Sequence, residues 1–150
     1  MSEQEPKIMV ISLYQPYASL MALGAKRFET RSWGTKFRGQ VIIHASKTLE
    51  YDWHDARFVA AMKEAGIDNP AKLPLGAALA VGELVNCYKA ESVYPHISET
   101  ERLFGNYAAG RVAWEFKDVK LFVQPVPVRG QQYLWEWKLA LPDVVEGVPF

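Results

Sequence analysis

The chain is built from short apolar segments with the composition of β-strands, separated by only two or three segments with the residue spacing of helices. Short strands at varied spacing are typical of a small, mostly antiparallel β-barrel of the α+β class. Valine, isoleucine and aromatic residues cluster or alternate in each predicted strand. The strands are predicted at residues 7–13, 27–33, 41–45, 77–87, 111–116, 119–123 and 133–137.

Helix boundaries are marked by residues with known capping preferences. Pro16 predicts the start of a first helix and Gly24 its end, because proline is tolerated in the first turn and glycine takes the left-handed conformation that follows a helix. Ser98 and Glu101 have the spacing of a capping box and predict a short third helix. A second helix is predicted at 53–65, so helices lie between strands and pack on the barrel.

The length of 150 residues and the hydrophobic content of 49% predict one well-packed domain spanning 1–150. Its core is expected at about residues 8–139, with the apolar C-terminal tail packing on it. No stretch approaches the roughly 20 apolar residues of a membrane span, and the N-terminus lacks a secretory signal. We therefore expect a soluble, cytoplasmic monomer that has no contact with a membrane.

Positive charge is concentrated in residues 24–47, although the whole chain has no formal net charge. The segment contains six cations and a single acid, Glu29, with rings at Phe28, Trp33 and Phe37 between the cations. Aromatic rings beside cations suit stacked bases and phosphates. The pI near 6.8 argues against wholesale coating of duplex nucleic acid. The pattern predicts a local nucleic-acid site, with solvated surface charge as the alternative.

Lys26 and Glu83 are the two residues best suited to chemistry. Glu83 lies in an apolar run, where a carboxylate is costly to bury unless a cation or hydrogen-bond donors compensate it. We expect Glu83 to have a partner or face a cavity; the alternative is a rim position where it reaches water. Glu29 and Arg31 share one face of an extended segment and are expected to pair. Lys26 can join them only from the turn after Gly24.

Metal and cofactor sites are not predicted. The three histidines are dispersed, and Cys87 is the single cysteine, so no set of metal ligands has a recognisable spacing. His44 follows a β-branched run and is expected to be a hydrogen-bonded structural residue more often than a catalyst. The motifs of serine hydrolases, phosphate-binding loops and dinucleotide-binding folds are also missing from the sequence.

One segment, SLYQPYASLMALGAKRFETRSWGTKFRGQVIIHASK, resembles the opening of the ASCH (activating signal cointegrator homology) domain of the PUA-like superfamily. The hallmark of that family is a glycine, a lysine, an acidic or hydroxyl residue and an arginine, matched here by Gly24, Lys26, Glu29 and Arg31. The later segments GELVNC, FGNYAAGRVAWEF, PVPVRG and LWEW also resemble family members. The likeness covers about residues 8–139.

The resemblance implies a PUA-like β-barrel surrounded by two or three helices, with a cleft that receives single-stranded RNA or a modified nucleobase. Cations would contact phosphates or base edges, and aromatic rings would stack on bases. No cofactor is implied. The residues expected to contact the nucleic acid or nucleobase are Tyr17, Lys26, Arg31, Trp33, Arg38, His44 and Lys47.

The alternative function is a metal-independent hydrolase, either an amidohydrolase on acetylated cytidine-type nucleosides or a ribonuclease. In amidohydrolase members the catalytic set is a lysine, a threonine three positions later and a glutamate on a later strand. By this resemblance Lys26 and Glu83 form the catalytic pair, and Glu29 replaces the threonine. A carboxylate is a poor acyl acceptor, so Glu29 or Glu83 would activate water and Lys26 would stabilise the oxyanion. A third hypothesis is a protein-interaction domain that uses its apolar tail.

Overall fold

The computed structural model describes residues 6–146, in which six β-strands form the framework. The strands coincide with the clusters of β-branched and aromatic residues, whose side chains fit a pleated, half-buried surface. The strands are β1 (Met9–Gln15), β2 (Phe28–Arg31), β3 (Gly39–Leu49), β4 (Ala77–Lys89), β5 (Val112–Pro127) and β6 (Leu134–Glu136).

Four short α-helices and two single turns of 3-10 helix connect these strands within the described residues. The α-helices are α1 (Tyr17–Ala22), α2 (Ala56–Glu64), α3 (Ala90–Val93) and α4 (Glu99–Leu103), and the 3-10 turns are Pro70–Lys72 and Tyr94–His96. The chain leaves α1 through Gly24, whose φ of 80° is easily adopted only by glycine. This turn brings the chain back along the sheet at Lys26.

Helix α4 begins with the cap that the sequence predicts. The Ser98 hydroxyl accepts a hydrogen bond from the Glu101 N–H at 3.1 Å. Glu101 does not complete a capping box, because its carboxylate accepts a hydrogen bond from the Arg27 N–H at 2.8 Å instead. The N-terminal end of α4 is thereby tied to the chain just before β2.

The six strands form one sheet in the order β2-β5-β4-β3-β1-β6. Strands β1 and β3 are parallel, and the other neighbours are antiparallel. The prediction of an α+β, mostly antiparallel fold is confirmed, but the sheet does not close into a barrel. Strand β6 occupies the outer edge of β1, so β2 cannot pair there. Instead, Arg31 of β2 donates a side-chain hydrogen bond to the Ser12 carbonyl of β1.

The main hydrophobic core fills the space between the curved sheet and helix α1. Ile11, Met21, Trp114 and Phe116 are among its fully or almost fully buried members. A second cluster on the opposite face of the sheet includes Val10, Ile42 and Phe122. A third cluster packs α2 against α1 and α4, and its buried members include Leu20, Phe58, Met62 and Phe104. Burial of these side chains is the main favourable contribution to folding.

Strand β5 is continuous where the sequence predicts two strands, at 111–116 and 119–123. Its pairing with β4 shifts register between Val81 and Glu83, and Asp118 lies opposite this irregularity with a φ of 53°. The strand therefore bends at Asp118 instead of ending there. At the end of β5, Val126 and Pro127 pair with β4 alone, and Pro125 lies in a register irregularity, which are the edge and bulge positions expected for prolines.

Residues 143–145 run beside β5. The Val123 N–H donates to the Asp143 carbonyl at 2.9 Å, and the Val145 N–H donates to the Leu121 carbonyl at 2.7 Å. Val144 packs on the second apolar cluster. The predicted packing of the final tail residues, from 147 onward, lies outside the described residues. No helix in residues 6–146 has the length and apolar character needed to cross a membrane.

Candidate nucleic-acid interface

A cleft of about 430 Å³ opens where the loop after α4 faces strands β1 and β2. This volume lies within the range of about 300 to 1,000 Å³ found for small-molecule sites. The residues that line it, called the cleft below, are Ser12, Tyr14, Tyr17, Glu29, Thr30, Arg31, Leu103, Phe104, Gly105, Asn106 and Arg111.

Lys26 is buried behind this cleft, with only 1% of its surface exposed. Its ammonium donates to the Phe28 carbonyl, donates to the Phe104 carbonyl at 3.0 Å, and lies 3.5 Å from a Glu29 carboxylate oxygen. These contacts compensate the ammonium for the loss of water. Lys26 is not among the residues that line the cleft, so its ammonium acts by holding Glu29 and the Phe104 carbonyl in place.

Glu29 lies between two cations. One carboxylate oxygen faces Lys26, and the other accepts from Arg31 Nε at 3.0 Å, which confirms the predicted Glu29–Arg31 pair. A terminal nitrogen of the same guanidinium donates to the Ser12 carbonyl. Lys26, Glu29 and Arg31 therefore form one network with a net positive charge, and two of its members face the cleft.

A second guanidinium, that of Arg111, also lines the cleft. Arg111 directly precedes strand β5. Its Nε donates to the Asn106 carbonyl at 3.1 Å, and a terminal nitrogen donates to the Thr30 carbonyl at 3.0 Å. The Thr30 hydroxyl in turn accepts from the Asn106 N–H at 2.9 Å. Since a guanidinium has five N–H groups, these contacts fix its orientation and leave donors for a ligand.

Two tyrosines supply the aromatic surface of the cleft. Tyr14 is 52% exposed at the end of β1. Tyr17, on α1, is half-buried and packs edge-to-face on Phe58 with ring centroids 5.8 Å apart. Burial raises the pKa of the Tyr17 phenol, with a further contribution from the negative charge of Glu29, so the hydroxyl stays protonated as a hydrogen-bond donor.

A larger cavity of about 910 Å³ adjoins the cleft, and Ser12 lines both. It lies between the C-terminal half of β3 and the loop that follows β5. The residues that line it, called the loop cavity below, are Ser12, His44, Ser46, Lys47, Leu75, Gly76, Pro127, Val128, Arg129, Gly130, Gln131 and Gln132.

His44 forms the floor of the loop cavity and is 1% exposed. Its Nε2 lies 2.9 Å from the Val128 carbonyl, and its Nδ1 lies 2.8 Å from the Ser12 hydroxyl oxygen. Burial lowers the pKa of the imidazole, and the hydrogen bond to the Val128 carbonyl opposes this only in part. The imidazole is therefore neutral near pH 7, as its ordinary pKa is about 6.5.

Two exposed cations, Lys47 and Arg129, stand at the loop cavity, and none of the described residues lining it is acidic. The cavity thus attracts anions. Among residues 6–146, no three His, Cys, Asp or Glu side chains gather as a metal site requires.

Glu83 does not join Lys26. Its side chain is exposed, its β4 position lies opposite Gln40 and Lys117 in the sheet, and it lines a small separate cavity with Asp118. Glu83 and Lys26 therefore do not converge on one site, which corrects the predicted catalytic pair. Glu83 faces a cavity of its own and reaches water, as the rim alternative describes. Gly82 and Leu84 on either side of Glu83 are buried, and the parity of the strand turns the Glu83 side chain to the opposite face, toward water.

The model of the ASCH domain matches residues 11–127, from β1 to the end of β5. This chain belongs to the ASCH domain family. The match includes every residue that lines the cleft. The resemblance seen in the sequence is thereby confirmed, and with it the PUA-like fold class for which RNA binding has been proposed.

Two curated relatives of this ASCH domain protein are activating signal cointegrator 1 of Mus musculus and of Homo sapiens, each 26% identical over 133 residues. Each match covers 84% of this chain and 22% of the relative. The chain therefore spans about a fifth of the length of the curated relatives it matches.

Solved structures show the same fold. A crystal structure of ASCH from Zymomonas mobilis has a TM-score of 0.56 and 14% identity, covering 88% of each chain. A single-substitution variant of that protein also has a TM-score of 0.56 and 14% identity, covering 89% of this chain and 91% of the other.

Trp33 and Arg38 of this ASCH domain do not line the cleft or the loop cavity. Trp33 packs between Trp114 and Tyr133, with ring centroids 4.9 and 5.2 Å away. Arg38 is exposed and donates to the Thr35 and Phe37 carbonyls and to Asn86. The structure therefore brings only part of the predicted set together: Tyr17 and Arg31 line the cleft, and His44 and Lys47 line the loop cavity.

Sequence reasoning missed four residues of this interface: Ser12, Tyr14, Arg111 and Arg129. They lie outside the basic segment, far apart along the chain. Ser12 and Tyr14 alternate with Ile11 and Leu13, and this parity was the available signal that they leave the main core face. No comparable signal marks Arg111 or Arg129, since their placement depends on the pairing of strands.

Proposed function

We propose that this protein binds single-stranded RNA or a modified nucleobase along the path formed by the cleft and the loop cavity. The observation that carries the proposal is that both cavities share Ser12, so aromatic rings and four cations border one continuous surface. The cations are Arg31 and Arg111 in the cleft and Lys47 and Arg129 in the loop cavity.

The cleft suits a base. Tyr14 offers an exposed ring for stacking, and Arg31 and Arg111 present oriented N–H donors to base edges. Glu29 adds a carboxylate acceptor that lies between the two neighbouring cations. A site with donors, an acceptor and a ring is the combination by which proteins read unpaired bases.

The loop cavity suits the phosphate of an adjoining nucleotide. It has two exposed cations and no acid among its described lining residues, whereas the cleft contains Glu29. Phosphate contacts give sequence-independent affinity that falls as the salt concentration rises. In this arrangement Lys26 supports the cleft from behind and does not contact the ligand.

The catalytic alternative has less support. A hydrolase that uses Lys26 and Glu83 as a pair requires the two side chains to converge on a substrate. Lys26 is buried against main-chain carbonyls, and Glu83 is exposed beside a different cavity. Glu29 is the acid nearest to Lys26, but its carboxylate is already shared with Arg31.

The proposal is tested by fluorescence anisotropy with a labelled single-stranded RNA 12-mer of mixed sequence across a salt series. A Lys47→Gln, Arg129→Gln double variant should bind more weakly and should reduce the slope of log affinity against log salt by about 1.4, since each single-strand phosphate contact contributes about 0.7. A Lys63→Gln, Lys72→Gln double variant has the same net charge and changes exposed lysines outside both cavities. Equal weakening in the two double variants would contradict a local site.

Stacking is tested separately. Tyr14→Ala should weaken binding of the same RNA by about 1 to 3 kcal/mol, the usual contribution of a stacked base. Tyr94→Ala is the matched control, because Tyr94 is 46% exposed and does not line the cleft or the loop cavity. If neither substitution weakens binding, the proposal that a base stacks in the cleft is contradicted.

A further inference from the structure

Ser12 and His44 are brought together by the sheet. They are register partners on the parallel strands β1 and β3, and their side chains meet at a distance of 2.8 Å between the hydroxyl oxygen and Nδ1. Both residues line the loop cavity; His44 is 1% exposed, and the half-buried Ser12 is the member of the pair that a small molecule in the cavity reaches. Neither nucleic-acid binding nor the core requires a serine and a histidine in this arrangement.

The direction of the hydrogen bond follows from the partners of the ring. The Val128 carbonyl can only accept, so His44 Nε2, at 2.9 Å from it, must carry the hydrogen and donate. In the neutral imidazole Nδ1 is then an acceptor, and the Ser12 hydroxyl donates to it. A hydroxyl that donates to an imidazole oriented by a third group is the arrangement of an activated nucleophile.

The surroundings of the pair are also specific. A Cβ atom on Gly130 would lie 2.8 Å from His44 Cε1 and 3.0 Å from the Ser12 hydroxyl oxygen, so the main chain of the loop can cover the pair only at a glycine. Arg31 fixes the main chain of Ser12 by donating to its carbonyl. Lys47 and Arg129 border the same cavity and make it attractive to anions.

We infer that Ser12 and His44 form a nucleophile and general base that transfer the acyl group of a small carboxylic ester bound in the loop cavity. This activity goes beyond the proposed function and does not depend on it. The Ser12 oxygen attacks the carbonyl carbon while its proton passes to His44 Nδ1. The tetrahedral intermediate expels the alcohol oxygen, which takes the proton from Nδ1. Water then attacks the acyl-serine, gives a proton to Nδ1, and the acid departs as that proton returns to Ser12.

The test is covalent labelling with a fluorophosphonate probe, followed by peptide mass spectrometry, together with hydrolysis of p-nitrophenyl acetate. We expect the phosphonyl adduct on Ser12, formed with loss of fluoride, and neither label nor turnover above background in Ser12→Ala. His44→Gln should slow both reactions by about 10² to 10⁴-fold, the usual contribution of a general base. Ser92→Ala is the matched control, because Ser92 is an exposed serine that lines neither the loop cavity nor the cleft.

Gly130→Ala is the second test variant, since it leaves both reacting groups in place and puts a methyl group against them. It should reduce the labelling rate by at least tenfold, with the thermal unfolding midpoint showing that the protein is folded. A folded wild-type protein in which the probe leaves Ser12 unmodified would overturn the inference, as would labelling of His44→Gln at the wild-type rate. The RNA titrations report on the binding proposal independently, because they use Lys47, Arg129 and Tyr14 variants.

Discussion

The buried ammonium of Lys26 has three protein partners and almost no contact with solvent. Removing it leaves the Phe28 and Phe104 carbonyls without their donor and Glu29 with one cation instead of two. Lys26→Met should therefore lower the free energy of unfolding by about 3 to 5 kcal/mol, the usual cost of breaking a buried charge pair. Denaturant unfolding measures this. Lys36→Met, at an exposed position, should change stability by less than about 0.5 kcal/mol.

His44 makes stability depend on pH. Burial lowers its pKa in the folded protein, so the unfolded chain binds more protons as the pH falls through the ordinary histidine pKa of about 6.5. The neutral, buried His44 imidazole makes its full contribution to stability above that pH. The contribution is lost as the pH falls toward the lower pKa that His44 has in the folded protein. The free energy of unfolding should decrease from about pH 7 to pH 5, and His44→Gln should flatten that decrease. If His96→Gln, at an exposed histidine, flattens it equally, His44 is not the cause.

At the scale of elements, helix α4 positions one wall of the cleft, since the chain passes directly from it into Phe104–Asn106. Ser98→Ala should cost about 1 kcal/mol by removing the N-terminal cap, and it should also weaken RNA binding. Asp55→Ala removes the corresponding cap of α2, which leads away from the cleft. Equal effects of the two substitutions on RNA affinity would show that α4 has no special part in the site.

Local sequence patterns predict the helices and strands more reliably than they predict which strands are adjacent in the sheet. Strand β4 and the cap at Ser98 follow from composition and spacing, but the two strands expected at 111–123 are one, because a single residue with positive φ bends β5 without ending it. The Glu29–Arg31 pair followed from parity within one strand. Glu83 was placed wrongly, since its partner depended on which strands are adjacent.

The Ser12–His44 contact shows the same limit. Each residue lies in a segment recognisable as a strand, but nothing in the sequence reveals that β1 and β3 pair in parallel and in this register. Non-local pairing of this kind is set by the packing of the whole sheet. The interface is therefore predictable from the sequence at Glu29–Arg31, and not in the portions that β1 and the loop after β5 contribute to the cleft and the loop cavity.

For the molecule as a whole, Arg31 replaces the missing hydrogen-bond ladder between β2 and β1 by bonding to Glu29 and the Ser12 carbonyl. Arg31→Lys keeps the charge but cannot reproduce this forked geometry. Amide hydrogen exchange in Phe28–Arg31 should become at least about tenfold faster, since a hydrogen bond to a charged group contributes about 1.5 kcal/mol or more. Arg102→Lys, at a cation that bonds to the Tyr94 carbonyl, should leave that exchange unchanged.

An open sheet has edges to which a strand of another molecule could add, and fibrous aggregates grow in this way. Here β6 has three residues and β2 has four, and the exposed end of β5 contains Pro125 and Pro127, which lack N–H donors. Such short or proline-interrupted borders offer little template for polymerisation. Although its sheet is open, the protein can therefore be concentrated for binding measurements without aggregating by strand addition.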